Sequence, residues 1–152
     1  MSSSPSSYVA SLFYSYSHQD SQHRDAMERS LSVLKAEGLL HDWSDKSVLP
    51  GQSISGTIDP QLDSADIVAF LLSPDFLASQ ACTGEWDRAK NRSSGQDPLF
   101  RIPIVVRPCD WQQFLGDDDL LALPYDGQPV VSFTDTDEAW LQITEGIRSV
   151  AN

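Results

Sequence analysis

The eight residues 66-DIVAFLLS-73 constrain the fold more than any other stretch. After Asp66 the run is apolar through Leu72, with no alternation between polar and apolar side chains. A segment of this kind suits a strand buried on both faces, at the centre of a parallel sheet. Helices must then lie on either side of that sheet.

The flanking sequence supplies them. Residues 8-YVASLFYSYS-17 read as a first strand ending in polar loop residues. Asp20 follows in N-cap position, and Met27, Leu31 and Leu34 then recur at the spacing of an amphipathic helix that stops near Gly38. Residues 39-LLHDW-43 make a short second strand, and 44-SDKSVLPGQS-53 a loop turned by Pro50-Gly51. Ile54, Ile58 and Leu62 repeat at helical spacing. Pro74 closes the third strand, and a helix is expected from about Cys82 to Arg92, then a loop at SSGQD. The run 99-LFRIPIVV-106 is another buried strand. Residues 109–124 read as a short helix and a loop, and 129-PVVSF-133 as a brief fifth strand. A last helix carries Trp140, Ile143, Ile147 and Val150 on one face and starts at Asp135 or Asp137.

The order is strand–helix five times over. The expected fold is α/β and flavodoxin-like, with three layers and a five-stranded parallel sheet in the order 2-1-3-4-5. At 152 residues the chain fits one domain, here 8–151, after a polar tail at 1–7 expected to be disordered. In such sheets ligands bind beyond the carboxyl ends of the strands, where the strand order reverses. That edge is built from 16-YSHQD-20, 44-SDKSVLPGQS-53 and 74-PDFLASQACTGE-85.

Charge and composition exclude several functions. Ten basic side chains face 22 acidic ones, a net charge of −12. That field argues against general nucleic-acid binding and against docking on anionic lipid. No apolar run is long enough for a membrane span, and MSSSPSS lacks the features of a signal peptide, so the expected compartment is the cytoplasm. Cys82 and Cys109 are too few for a disulfide framework, and His18, His23 and His41 form no metal-ligand pattern. No metal is expected, including at Asp117-Asp118-Asp119, since acidic loop runs are usually solvated. Gly51-x-x-x-x-Gly56-Thr57 lacks the lysine of a phosphate loop, and no G-x-G-x-x-G follows the first strand. Ser32-x-x-Lys35 lies on an amphipathic helix without partner motifs.

Glu85 is the residue that invites chemistry. It lies in 79-SQACTGEWDRAK-90, early in a helix that follows the buried third strand. Taken alone, it is a solvated charge that suits the helix dipole. Cys82, Trp86 and Ala89 form the stripe that should pack on the sheet, and Glu85 borders it.

Three segments together resemble one family. They are 12-LFYSYSHQD-20, 38-GLLHDWSDKSVLPGQS-53 and 66-DIVAFLLSPDFLASQACTGE-85, with 102-IPIVVRPCDW-111 and 138-EAWLQITEGI-147 fitting farther on. This pattern resembles a bacterial Toll/interleukin-1 receptor (TIR) domain over nearly all of residues 8 to 151. The resemblance implies the five-stranded fold already inferred. It also implies one of two functions. Many bacterial and plant members cleave the nicotinamide–ribose bond of NAD; others only assemble with partners through the loop after strand two.

For the enzymatic members, the resemblance implies that Glu85 is catalytic, with cysteine three residues before it as here. Tyr16 and Ser17 match positions that approach the nucleotide, although Tyr16 can equally cap the sheet. Trp43 and Asp45 open the loop after strand two, and Trp43 either stacks on nicotinamide or covers the sheet edge. Lys46 offers a cation for a phosphate, and Leu49 completes the expected substrate-binding set. Pro50 and Gly51 shape the assembly loop. In some members a tryptophan precedes the glutamate by four residues; here that position is Ala81.

The expected activity is an NAD glycohydrolase giving nicotinamide and linear or cyclic ADP-ribose. NAD is then substrate, and no cofactor is implied. Expected partners are other TIR domains by homo-oligomerisation, with a sensor domain or a nucleotide-activated effector elsewhere. The implied role is antiphage defence. A chain ending at Asn152, just after a helix, would suit one cut from a longer protein. The alternative is a non-catalytic interaction module. A nucleoside deoxyribosyltransferase shares the general fold and an active-site carboxylate, but fits the loop after strand two poorly.

Overall fold

A computed structural model describes residues 8–93 and 99–151. The expected tail at 1–7 and most of the SSGQD loop lie outside them. Four parallel strands form the sheet in the order β2-β1-β3-β4: β1 is Ala10–Ser15, β2 Leu40–Trp43, β3 Ile67–Leu72 and β4 Phe100–Val105. Among the described residues, six α-helices surround it: α1 Ser21–Ala36, α2 Ile54–Ser64, α3 Pro74–Ala78, α4 Gln80–Ser93, α5 Trp111–Leu115 and α6 Thr136–Ala151.

The apolar run is the central strand: every residue of β3 is buried, and it pairs with both β1 and β4. Strand alternation splits the core in two. Leu12, Tyr14 and Tyr16 of the first strand and its end join Met27, Leu31 and Leu34 of α1 and Trp140, Ile143 and Ile147 of α6. Phe13 points the other way, into a cluster with Val68, Phe70, Cys82, Trp86 and Ala89. The same alternation sends Ser15 to the α4 side of the sheet, which sets up the site described below.

Local signals explain the element ends. Gly38, at φ +76°, closes α1, where Leu39 N–H donates to Leu34 C=O at 3.0 Å and Gly38 N–H to Lys35 C=O at 3.1 Å. Ser53 caps α2 and Ser73 caps α3 through their hydroxyls. The residues after Pro74, read as loop from sequence, begin instead with the short helix α3, because Ser73 followed by proline is a strong helix start. On α2 the expected stripe is only partly buried: Leu62 is in the core, while Ile54 is 69% exposed.

The fifth strand expected at 129–133 is not found among the described residues. Val130–Ser132 form a single 3-10 turn. The edge position goes to Leu123, which bridges to Ile104 in parallel. Its N–H donates to Pro103 C=O at 2.9 Å, and its C=O accepts from Val105 N–H at 2.8 Å. Extension stops there for physical reasons. Pro124 and Pro129 have no N–H to give, and Asp126 and Gly127 both take left-handed φ, at 66° and 68°.

Candidate active site

The carboxyl edge of the sheet brings four chain segments together. Ser15 is the last residue of β1 and is fully buried. Its hydroxyl donates to Oε1 of Glu85 at 2.5 Å. Glu85 sits in the second turn of α4, half-buried, with Cys82 and Trp86 of the same helix locked into the core. Trp86 meets Phe70 edge-on at 4.6 Å and Phe114 at 5.1 Å, which fixes the helix against the sheet. The helix rotation that buries Trp86 therefore aims Glu85 at the end of β1.

Burial pushes the Glu85 carboxyl up to about 7, reinforced by the charges of Asp45 and Asp59, while the Ser15 hydroxyl and His18 act in the opposite direction. A glutamate in this state is poised near neutrality, unlike a solvated one. The Cys82 thiol is pushed up to about 11, first by burial. It is a packing residue, inert as a nucleophile at neutral pH.

A cavity of about 480 Å³ is lined by Tyr16, His18, Ser21, Asp25, Asp45, Lys46, Val48 and Ile54. Glu85 is not part of its lining, and its link to this wall is the charge of Asp45 and of His18 acting on its carboxyl. Asp45 organises its wall. Its Oδ1 accepts from the Tyr16 hydroxyl at 2.9 Å, and its Oδ2 lies 2.5 Å from His18 Nε2. The Tyr16 phenol is held protonated by burial and by that hydrogen bond. Lys46 reaches across to Asp25 at 3.3 Å. Behind the wall, buried Arg24 donates to Ser44 at 3.0 Å and pairs with Glu28 at 2.9 Å, anchoring the start of the loop after β2.

Of the residues singled out from sequence, the cavity gathers Tyr16, Asp45 and Lys46. Ser17 instead accepts a hydrogen bond from Gln19 N–H at 3.3 Å, opening the 3-10 turn His18–Asp20. Trp43 stacks on Phe13 at 5.5 Å and lines a separate cavity of about 270 Å³ with His41, Gln61 and Ser64. Leu49 is 63% exposed, and Pro50 and Gly51 lie at the loop's outer turn, Gly51 at φ +88°. Asp118, from the acidic run, is tied to Arg101 at 3.3 Å and Lys90 at 3.2 Å. Among the described residues no group of three or more His, Cys, Asp and Glu is arranged to hold a metal ion.

Two residues escaped the sequence reading. Ser15 gave no signal beyond its strand parity, because its partner is 70 positions away. His18 looked like a loop residue, and only the fold brings it to Asp45. Asp20 was expected as a helix cap, yet its side chain makes no cap bond to α1. It is fully buried, accepting from Ser73 Oγ at 2.5 Å and Arg107 Nε at 2.8 Å, and Arg107 also pairs with Asp75. This knot ties the ends of β1, β3 and β4 together.

Comparison with known proteins settles the lineage. A family model described as TIR domain matches residues 12–143. The chain belongs to the TIR domain family. This TIR domain is 39% identical over 144 residues to the uncharacterized protein y4lF of Sinorhizobium fredii (strain NBRC 101917 / NGR234). The match covers 94% of the chain but 44% of y4lF, so the chain spans less than half the length of that curated relative. Among solved structures, the TIR domain of the Toll-related receptor TRR-2 from Hydra magnipapillata aligns with a TM-score of 0.62 at 18% identity. That alignment covers 93% of this chain and 98% of the receptor domain. The TIR domains of the activated Roq1 resistosome align at 0.61 and 15% identity, over 91% and 99% of the two chains. At these identities the two structures speak for the TIR fold. Among the described residues, no helix of this TIR domain is long and apolar enough to cross a membrane.

Proposed function

We propose that this TIR domain cleaves the nicotinamide–ribose bond of NAD, with Glu85 as its catalytic carboxylate. One observation carries the reading: the Glu85 carboxylate is drawn out of bulk water and hydrogen-bonded to Ser15, the last residue of β1, at the carboxyl end of the sheet.

The chemistry matches this arrangement. Nicotinamide leaves as a neutral base, because its ring nitrogen is already cationic in NAD, so no acid need protonate it. Loss of the base develops oxocarbenium character on the ribose. A carboxylate fixed in a partly dry site stabilises that cation and accepts a hydrogen bond from a ribose hydroxyl. A single carboxylate is sufficient, unlike the pair in ordinary glycosidases. Water then gives ADP-ribose, or an internal nucleophile of the ADP portion gives a cyclic product. Tyr16, Asp45 and Lys46 would contact the nucleotide from the cavity wall. Leu49 would contribute apolar surface from the loop, and NAD serves as substrate without a further cofactor.

In this reading the domain acts in the cytoplasm, in antiphage defence, and is activated by self-assembly. Exposed Leu49 and Ile54 beside Pro50-Gly51 favour the loop after β2 as the contact between copies. The same surface supports the alternative of a non-catalytic assembly module. Chromatography of NAD after incubation with concentrated protein tests the reading. Nicotinamide release that is lost in Glu85→Ala supports it, and equal release by the two chains defeats it.

A further inference from the structure

We propose that Ser15 is a positioning residue for Glu85: its hydroxyl, sealed at the end of β1, fixes the orientation of the carboxylate at the sheet edge. The inference deepens the reading above, since it says how that same carboxylate is prepared.

The geometry is specific. Ser15 is 0% exposed, so water does not satisfy its hydroxyl, and the recorded partner of that hydroxyl is Glu85 Oε1 at 2.5 Å. A buried donor to one carboxylate oxygen leaves the other oxygen free for a ligand. It also fixes the rotation of the carboxylate, which a helix alone does not. Strand parity is what delivers the donor, because Phe13 on the same face packs in the α4 cluster while Tyr14 and Tyr16 face α1.

The surroundings make this donor matter. Asp45 from the loop after β2 and Asp59 from α2 both oppose ionisation of Glu85, as does burial. Cys82 on α4 stays a neutral thiol. His18, from the turn after β1, and the Ser15 hydroxyl act the other way. His18 is already engaged by Asp45 and its side chain is 77% exposed, so solvent screens it. Ser15 is thus the sealed contact that favours the anion.

The test is a carbon-13 NMR titration of the Glu85 side-chain carboxyl, assigned by its absence in Glu85→Gln, in parallel with pH profiles of nicotinamide release. Ser15→Ala should raise the Glu85 midpoint by about one pH unit, as expected for loss of a hydrogen bond to a carboxylate. The ionised fraction at pH 7 then falls from about one half to about one tenth, and kcat falls with it while KM changes little. Ser15→Thr, which keeps the hydroxyl, should restore the midpoint. A Ser15→Ala chain that melts cooperatively yet titrates like wild type overturns the inference. A midpoint shifted in Ser15→Ala, where wild type itself never releases nicotinamide, sustains it while removing the enzymatic reading.

Discussion

The Ser15 hydroxyl and the Glu85 carboxylate are 2.5 Å apart, although 70 positions separate them in the chain. Strand β1 contributes one, helix α4 the other, and the buried strand β3 lies next to β1 in the sheet. That contact holds an ionisable group where ionisation is costly. Its consequences are measurable in stability before any substrate is added.

The pH dependence of stability follows from the sign of the shift. The Glu85 carboxyl is raised from 4.5 to about 7 on folding. Between those values the folded chain keeps a proton that the unfolded chain has released. Stability therefore falls as pH rises through the window, and the cost is fully present above it. In thermal melts, wild type should lose on the order of 1–3 kcal/mol relative to Glu85→Gln between pH 5 and 8, at about 2–4 °C per kcal/mol. His23, held below its usual value by burial, acts with the opposite sign at the acid end of the window in both chains. Glu85→Gln should flatten that slope and melt higher at pH 8. Asp66 and Asp118 are held below the usual carboxylate range, so their contribution is lost only at more acid pH and does not overlap this window. Equal slopes in the two chains would remove the shift from consideration.

The buried Asp20 depends on Arg107. Asp20 is 0% exposed and receives Arg107 Nε at 2.8 Å. Arg107→Met leaves that carboxylate without its cation, and denaturant unfolding should show a loss of about 3 kcal/mol. Adding Asp20→Asn should recover part of it, because the uncompensated charge is then gone. Additive losses from the two changes would show that the pair is not coupled.

Leu49 tests the assembly loop separately from the fold. It is 63% exposed, so a change there costs the monomer little. Leu49→Asp should melt within about 0.5 kcal/mol of wild type. Sedimentation at rising concentration should show weaker self-association, a readout independent of the substrate contact also expected of Leu49. Unchanged association would place the contact elsewhere.

Much of this was legible in the chain. The apolar run of β3 declared a central strand, and Met27, Leu31 and Leu34 declared the helix beneath it, because burial on a fixed period leaves a local pattern. The fifth strand was misread for an equally local reason. Val130 and Val131 have strand propensity, but the prolines and the left-handed pair at Asp126-Gly127 take the backbone out of register. The residues of the candidate site were half legible. Glu85 stood out through its motif, and Tyr16 and Asp45 through their loops. Ser15, His18 and the Asp20–Arg107 pair did not, because their partners come from distant segments and polar contacts have no periodicity. Trp43 shows the converse: a conspicuous residue whose structural partner is Phe13, on the face of the sheet packed by α2.

The most direct measurement is nicotinamide release from NAD by concentrated protein at pH 8, for wild type and Glu85→Gln side by side. Glutamine keeps the size of the side chain and can still accept from Ser15, so the comparison isolates the negative charge. Wild type should turn over, and Glu85→Gln should fall by a factor of ~10² or more, as for loss of a charge that stabilises a transition state. Turnover by Glu85→Gln at the wild-type rate would contradict the assignment of Glu85 as the group that steadies the ribosyl cation.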